Sequence, residues 1–142
     1  MKGDRIAYIE GIKYWLATDY AVQTAVHPPY DITTEYIDLT MTGLLTMRHG
    51  YPWDGPSGIC PDIKEMMRGS LVHDAFADLM RQGFLDFDKF FHKINRELEK
   101  ICEEDGVSDF AGDLIFAAVD KLSDGKWAKY GEDGGRKLCF AP

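Results

Sequence analysis

Apolar side chains recur between Phe87 and Cys102 at Phe87, Phe90, Phe91, Ile94, Leu98, Ile101 and Cys102. Spacing by threes and fours is the period of one helix face, and a strand, whose faces alternate every second residue, cannot satisfy it. Asp86 stands where an N-cap belongs, and Gly106 follows where the helix must end. The first fifty residues carry the other period. Ile12, Tyr14 and Leu16 point one way, and Lys13, Trp15 and Ala17 the other. Residues 21–26, 33–40 and 44–48 continue in strand-compatible composition. His27-Pro28-Pro29-Tyr30 interrupts them because proline cannot donate to a ladder, and Thr42-Gly43 reads as a tight turn. The change of period predicts an α+β fold, with an N-terminal antiparallel β-rich half of about four to five strands packed on a C-terminal bundle of about three helices.

The first helix is placed from Pro61 to about Gln82. Proline costs nothing in a first turn, Asp62 and Glu65 suit the positive end of the helix dipole, and Gly83 is a natural stop. The third begins at Ser108 as N-cap, carries Phe110, Leu114, Ile115, Ala118, Val119 and Leu122, and ends at Gly125. A chain of 142 residues, 45% of them hydrophobic, is one domain's worth of globular sequence. Residues 1–142 are therefore read as a single domain: a β-rich half over 1–50, a Gly/Pro/aromatic loop over 51–60, helices over 61–125 and a glycine-rich tail over 126–142.

A net charge of −8 without a basic cluster argues against nucleic-acid binding, which needs clustered Lys and Arg to neutralise phosphates. No apolar run approaches the roughly 20 residues that span a bilayer, and Met1-Lys2-Gly3-Asp4-Arg5 turns polar at once, unlike a signal peptide. Cys60, Cys102 and Cys139 are odd in number and widely spaced, as reduced thiols are.

Polar chemistry concentrates at two places. Gly50-Tyr51-Pro52-Trp53-Asp54-Gly55-Pro56-Ser57-Gly58 is a loop by chemistry, because three glycines and two prolines propagate neither a helix nor a central strand. On the first helix, Leu71, Val72, Ala75, Phe76 and Leu79 form one side. Ser70, His73, Asp74, Ala77 and Arg81 fall within about 100° of one another on the other, where small residues let another backbone approach. His73 is a base, acid or metal ligand near neutral pH. With the loop folded back, Asp54 and Ser57 come within reach of His73 and Asp74, a convergence that suits a hydrolytic or metal-binding pocket. The candidate catalytic residues are thus His73, Asp74, Asp54 and Ser57. Trp53, Asn95, Arg81 and Ser70 are candidates for binding or positioning, and His73, Asp54 and Asp74 would hold a divalent metal if one binds. A structural role explains the same residues: Asp54 and Ser57 as turn residues, His73 as a tie between loop and helix, Asp74 and Arg81 in an ion-pair network. His27, His49 and His92 have no ligand spacing, and no phosphate loop, HExxH, GxSxG or EF-hand loop is present.

The runs Tyr51-x-Trp53-Asp54-Gly55-Pro56-Ser57-Gly58, Met67-Arg68-x-Ser70-Leu71-Val72-His73-Asp74-Ala75 and Leu79-Met80-Arg81-x-Gly83 resemble a tailed-phage and prophage family known as domain of unknown function 1353. The resemblance covers roughly residues 35–127. It implies a phage or prophage origin, a place in the host cytoplasm or the virion, and partners among phage structural proteins or host proteins, but no established activity. The family's polar positions fall on Asp54, Ser57, His73 and Asp74. Members commonly carry an Ala-Asp pair in the second helix where this chain has Ile94-Asn95. Asn95 still accepts a hydrogen bond but cannot serve as a carboxylate base.

Overall fold

The computed structural model describes residues 14–55 and 63–120 in full and residues 8–9 by their backbone. Expectations for Ile12, Lys13, Ser57, Cys60, Pro61, Asp62, Leu122, Gly125, Cys139 and the tail lie outside the described residues. Among the described residues seven short strands precede the helices: β1 Tyr8–Ile9, β2 Tyr14–Leu16, β3 Tyr20–Gln23, β4 Ile32–Thr33, β5 Ile37–Leu39, β6 Leu44–Met47 and β7 Pro52–Trp53. The helices are α1 Lys64–Arg81, α2 Phe87–Glu104 and α3, residues 109–120. The fold is α+β, as its periodicities predict.

The strands form two antiparallel sheets, ordered β1-β2-β7 and β3-β6-β5-β4. In the larger sheet Tyr20 pairs with Met47, and Ile37 pairs with Met47 from the other side. Alternation then buries Ile37, Leu39, Leu45 and Met47 and leaves Leu44 exposed. Gly43 makes the turn before β6 with φ +92°, and a Cβ there would lie 2.3 Å from the Thr24 carbonyl oxygen. Only glycine meets both conditions.

Two strand expectations are corrected. Residues 33–40 form a hairpin, β4 and β5, instead of one strand. The Thr34 hydroxyl accepts the Ile37 amide at 2.9 Å and closes a turn, a local bond that competes with continued extension. Pro52-Trp53, placed in a loop, pairs with β2 as an edge strand, where a missing amide donor is tolerated.

The first helix is buried on its apolar side and also where its small residues were expected to let another backbone approach. Leu71, Val72, Ala75, Phe76 and Leu79 are buried, but so are Met66, Met67, Arg68, Gly69, Ser70 and Ala77. Its small residues admit neighbours. At Gly69, an added Cβ would meet Cys102 Sγ at 2.7 Å and Leu98 Cδ1 at 3.1 Å, so α2 packs directly on the α1 backbone. On α2, Asp86 caps the amide of Asp88 at 3.2 Å, and the predicted stripe is buried from Phe90 to Cys102. On α3, Ser108 Oγ accepts the Ala111 amide as expected, and Val119 is buried. Phe110 and Leu114 are 74% and 56% exposed. Arg68 joins the parts: its guanidinium bonds Tyr20 of β3 at 2.9 Å, and Glu104 and Asp105 at the end of α2 at 2.7 and 3.0 Å.

Candidate functional site

Strand β7 and the residues around it lie against α1. Trp53, buried, donates from Nε1 to Ser70 Oγ at 3.2 Å, and the Ser70 hydroxyl in turn donates a hydrogen bond to the Met67 carbonyl at 2.9 Å. Tyr51, also buried, donates its hydroxyl proton to the Asp78 carboxylate. Arg81, one turn further along α1, donates to Asp78 at 2.6 Å. Asp74 lies one turn before Asp78 and accepts a backbone hydrogen bond from Asp54, itself exposed. Gly55 follows with φ +76°, and a Cβ there would strike the Tyr14 ring at 2.4 Å. The positive φ and the ring together require glycine, which lets the chain turn closely after Asp54.

Electrostatics follows from this crowding. Burial pushes the Asp74 carboxyl up to about 8, with the negative charges of Asp78 and Asp54 adding to it. Asp78 is raised by the same burial, opposed by Tyr51 and Arg81. The Tyr51 hydroxyl is held well above its ordinary range by burial and by Asp78 and Asp74. His73 goes the other way: burial lowers it, the bond to Asn95 opposes that, and the Arg81 charge lowers it further.

The structure brings together Asp54, Asp74 and Arg81, with Trp53 and Ser70 bonded one turn earlier on α1. His73, expected beside Asp54 and Ser57, turns toward α2. Its Nε2 lies 2.8 Å from Asn95 Oδ1, and Asn95 Nδ2 donates to Asp120 Oδ1 of α3 at 2.8 Å. The same Asp120 oxygen is 2.7 Å from Nδ1 of exposed His92. Tyr51, Asp78 and Asp120 are the members that sequence reasoning missed. Asp78 had a signal, since it stands four residues after Asp74 and three before Arg81 and so shares their side of the helix. Tyr51 and Asp120 reach the site only through the tertiary fold.

A metal needs donors that converge. Among the described residues the one group of three or more carboxylate, His or Cys ligands with donor atoms all within 4.8 Å of one another is Glu99, Glu103 and Asp113, between α2 and α3. His73, Asp54 and Asp74 do not form such a group. Comparison with protein-family models, curated proteins and solved structures finds no match.

Proposed function

We propose that the chain is a phage-encoded accessory protein with a hydrolase-like acid–base site, in which Asp74 is the proton donor and His73 the base. The observation behind this reading is the opposite displacement of two adjacent groups on α1. Asp74, raised to about 8, keeps its proton at neutral pH, and His73, lowered from 6.5, stays without one. Environments that drive two titratable groups apart in this way divide the acid and base roles between them. Arg81 acts on both groups, so one guanidinium neighbours acid and base alike. Adjacent helix residues diverge by about 100°, so a substrate lying between the two groups would meet one on each flank. There His73 takes a proton from the attacking water and Asp74 gives one to the leaving group. Asp54 brings a carboxylate to the exposed rim, and Ser57 follows three residues on in the sequence. A divalent metal held by His73, Asp54 and Asp74 is the less supported variant, because their donor atoms do not converge.

The phage assignment rests on the family resemblance, as do partners among phage or host proteins and a place in the host cytoplasm or virion. Among the described residues no helix is long and apolar enough to cross a membrane.

A second reading is supported by the Trp53–Ser70, Tyr51–Asp78 and His73–Asn95 bonds, each of which ties α1 to another element. In a virion or tail-associated structural protein the cluster would then be a buried brace. Turnover assays decide between the two. Wild type, Asp74→Asn and His73→Gln are compared on chromogenic phosphodiesters, carboxyl esters and peptidoglycan fragments, with folding checked by circular dichroism. The acid–base site predicts wild-type turnover that falls by about 100-fold or more in each folded variant. Absence of turnover by the folded wild type on every substrate class would leave the brace as the better reading.

A further inference from the structure

The chain of bonds from His73 through Asn95 to Asp120 specifies which imidazole nitrogen is basic, and this inference builds on the acid–base reading of His73. An asparagine amide offers an oxygen that accepts and a nitrogen that donates, and its orientation is settled by its surroundings. At one end of Asn95 stands Asp120, whose Oδ1 is approached by both Asn95 Nδ2 and His92 Nδ1. A carboxylate only accepts, so the amide nitrogen of Asn95 must face it. The amide oxygen is thereby directed to His73, 2.8 Å from Nε2. An oxygen acceptor is satisfied only by an N–H, so Nε2 carries the proton, and in the neutral ring the lone pair is on Nδ1.

We propose that Asn95 and Asp120 are positioning residues that hold His73 in its Nε2–H form and make Nδ1 its basic atom. Asn95 is fully buried on α2, and Asp120 reaches it from α3, so three helices must be in register for the device to work. The relation resembles that of an orienting carboxylate to a catalytic imidazole, with an amide interposed. Interposing an amide has a consequence. A carboxylate in direct contact would favour the protonated ring strongly, whereas the uncharged amide oxygen fixes the tautomer and opposes only in part the lowering that burial and the Arg81 charge impose on His73.

The test reads the tautomer directly. Protein carrying 15N-labelled histidine is examined by long-range proton–nitrogen correlation, which separates the Nε2–H, Nδ1–H and doubly protonated rings. Wild type is expected to show His73 as a single Nε2–H form at neutral pH. Asn95→Asp sets a second carboxylate against Asp120, so the two share a proton, and the oxygen left facing His73 should retain the Nε2–H form. Asp120→Asn keeps the shape but can present either end of its amide, so Asn95 is no longer pinned and the His73 signals should shift to a mixture. An Nδ1–H ring in wild type, or an unchanged single tautomer in a folded Asp120→Asn variant, would overturn the proposal. None of these readouts requires turnover. A protein with a fixed Nε2–H ring but no activity on any substrate class would retract the acid–base reading and retain the positioning one.

Discussion

Asp74 shows what a single buried carboxyl does to the stability of the whole chain. Its pKa rises from 3.8 to about 8 on folding, so the native state binds the proton more tightly than the unfolded chain does. Its contribution to stability is full below pH 3.8 and is lost as pH rises through about 8. An amide at this position keeps the acceptor for the Asp54 backbone and never ionises. Asp74→Asn is therefore expected to unfold near the wild-type urea midpoint in acid and to be more stable by a few kcal/mol above pH 8. A variant less stable than wild type at alkaline pH would show that the carboxylate is stabilised where it stands. His73 has the opposite sign. Its lowered pKa gives stability that is present above 6.5 and lost as pH falls through the folded value. His73→Gln should flatten the acid limb of the urea-midpoint profile, and an acid limb as steep as wild type would place its origin in other groups. At this scale the sequence was partly legible. Asp54 and Asp74 meet as their loop-and-helix placement suggested, and Asp78 could have been added from spacing alone. The His73–Asn95–Asp120 chain crosses three helices, and no local pattern encodes such a crossing.

At the scale of elements, legibility followed periodicity. The α2 stripe is buried from Phe90 to Cys102 with Phe87 half-buried, and the Asp86 cap acts as its residue type dictates. The β4–β5 hairpin was missed because a threonine hydroxyl, and not a glycine or proline, closes its turn. The depth of α1 was legible in part: Ser70 and Ala77 were expected to let another backbone approach and are buried, whereas nothing local marked Gly69 or Arg68 as interior. Gly69 allows a direct test. A Cβ there would meet Cys102 Sγ at 2.7 Å, and the nearby Leu98 limits retreat. Helix propensity favours alanine over glycine by about 1 kcal/mol, and overpacking a tight interface costs about 1–3 kcal/mol. The clash should prevail, so Gly69→Ala is expected to lower the thermal midpoint while leaving helix content unchanged. A rise in the midpoint would mean that α2 moves aside at little cost.

At the scale of the whole molecule, the strand half and the helices share one apolar core running from Leu16 and Ile37 through Phe76 to Ile94. Apolar contact brings the two halves together without fixing their relative placement, because it is nondirectional. Arg68 supplies direction. It is 5% exposed, sits on α1, and reaches β3 through Tyr20 and the end of α2 through Asp105 and Glu104. Glu104 is 43% exposed and Asp105 only 14%, so the Asp105 pair is the less screened and should dominate. Methionine fills much of the same volume but leaves the Asp105 carboxylate and the Tyr20 hydroxyl without their donor. Arg68→Met is expected to cost about 3 kcal/mol, since removing one partner of a buried pair strands the other. Pairing it with Asp105→Asn separates causes: if the stranded charge dominates, the double variant recovers much of the loss. Equal destabilisation in the single and double variants would instead assign the effect to Tyr20 and to packing, and would remove Arg68 as the electrostatic link between the halves.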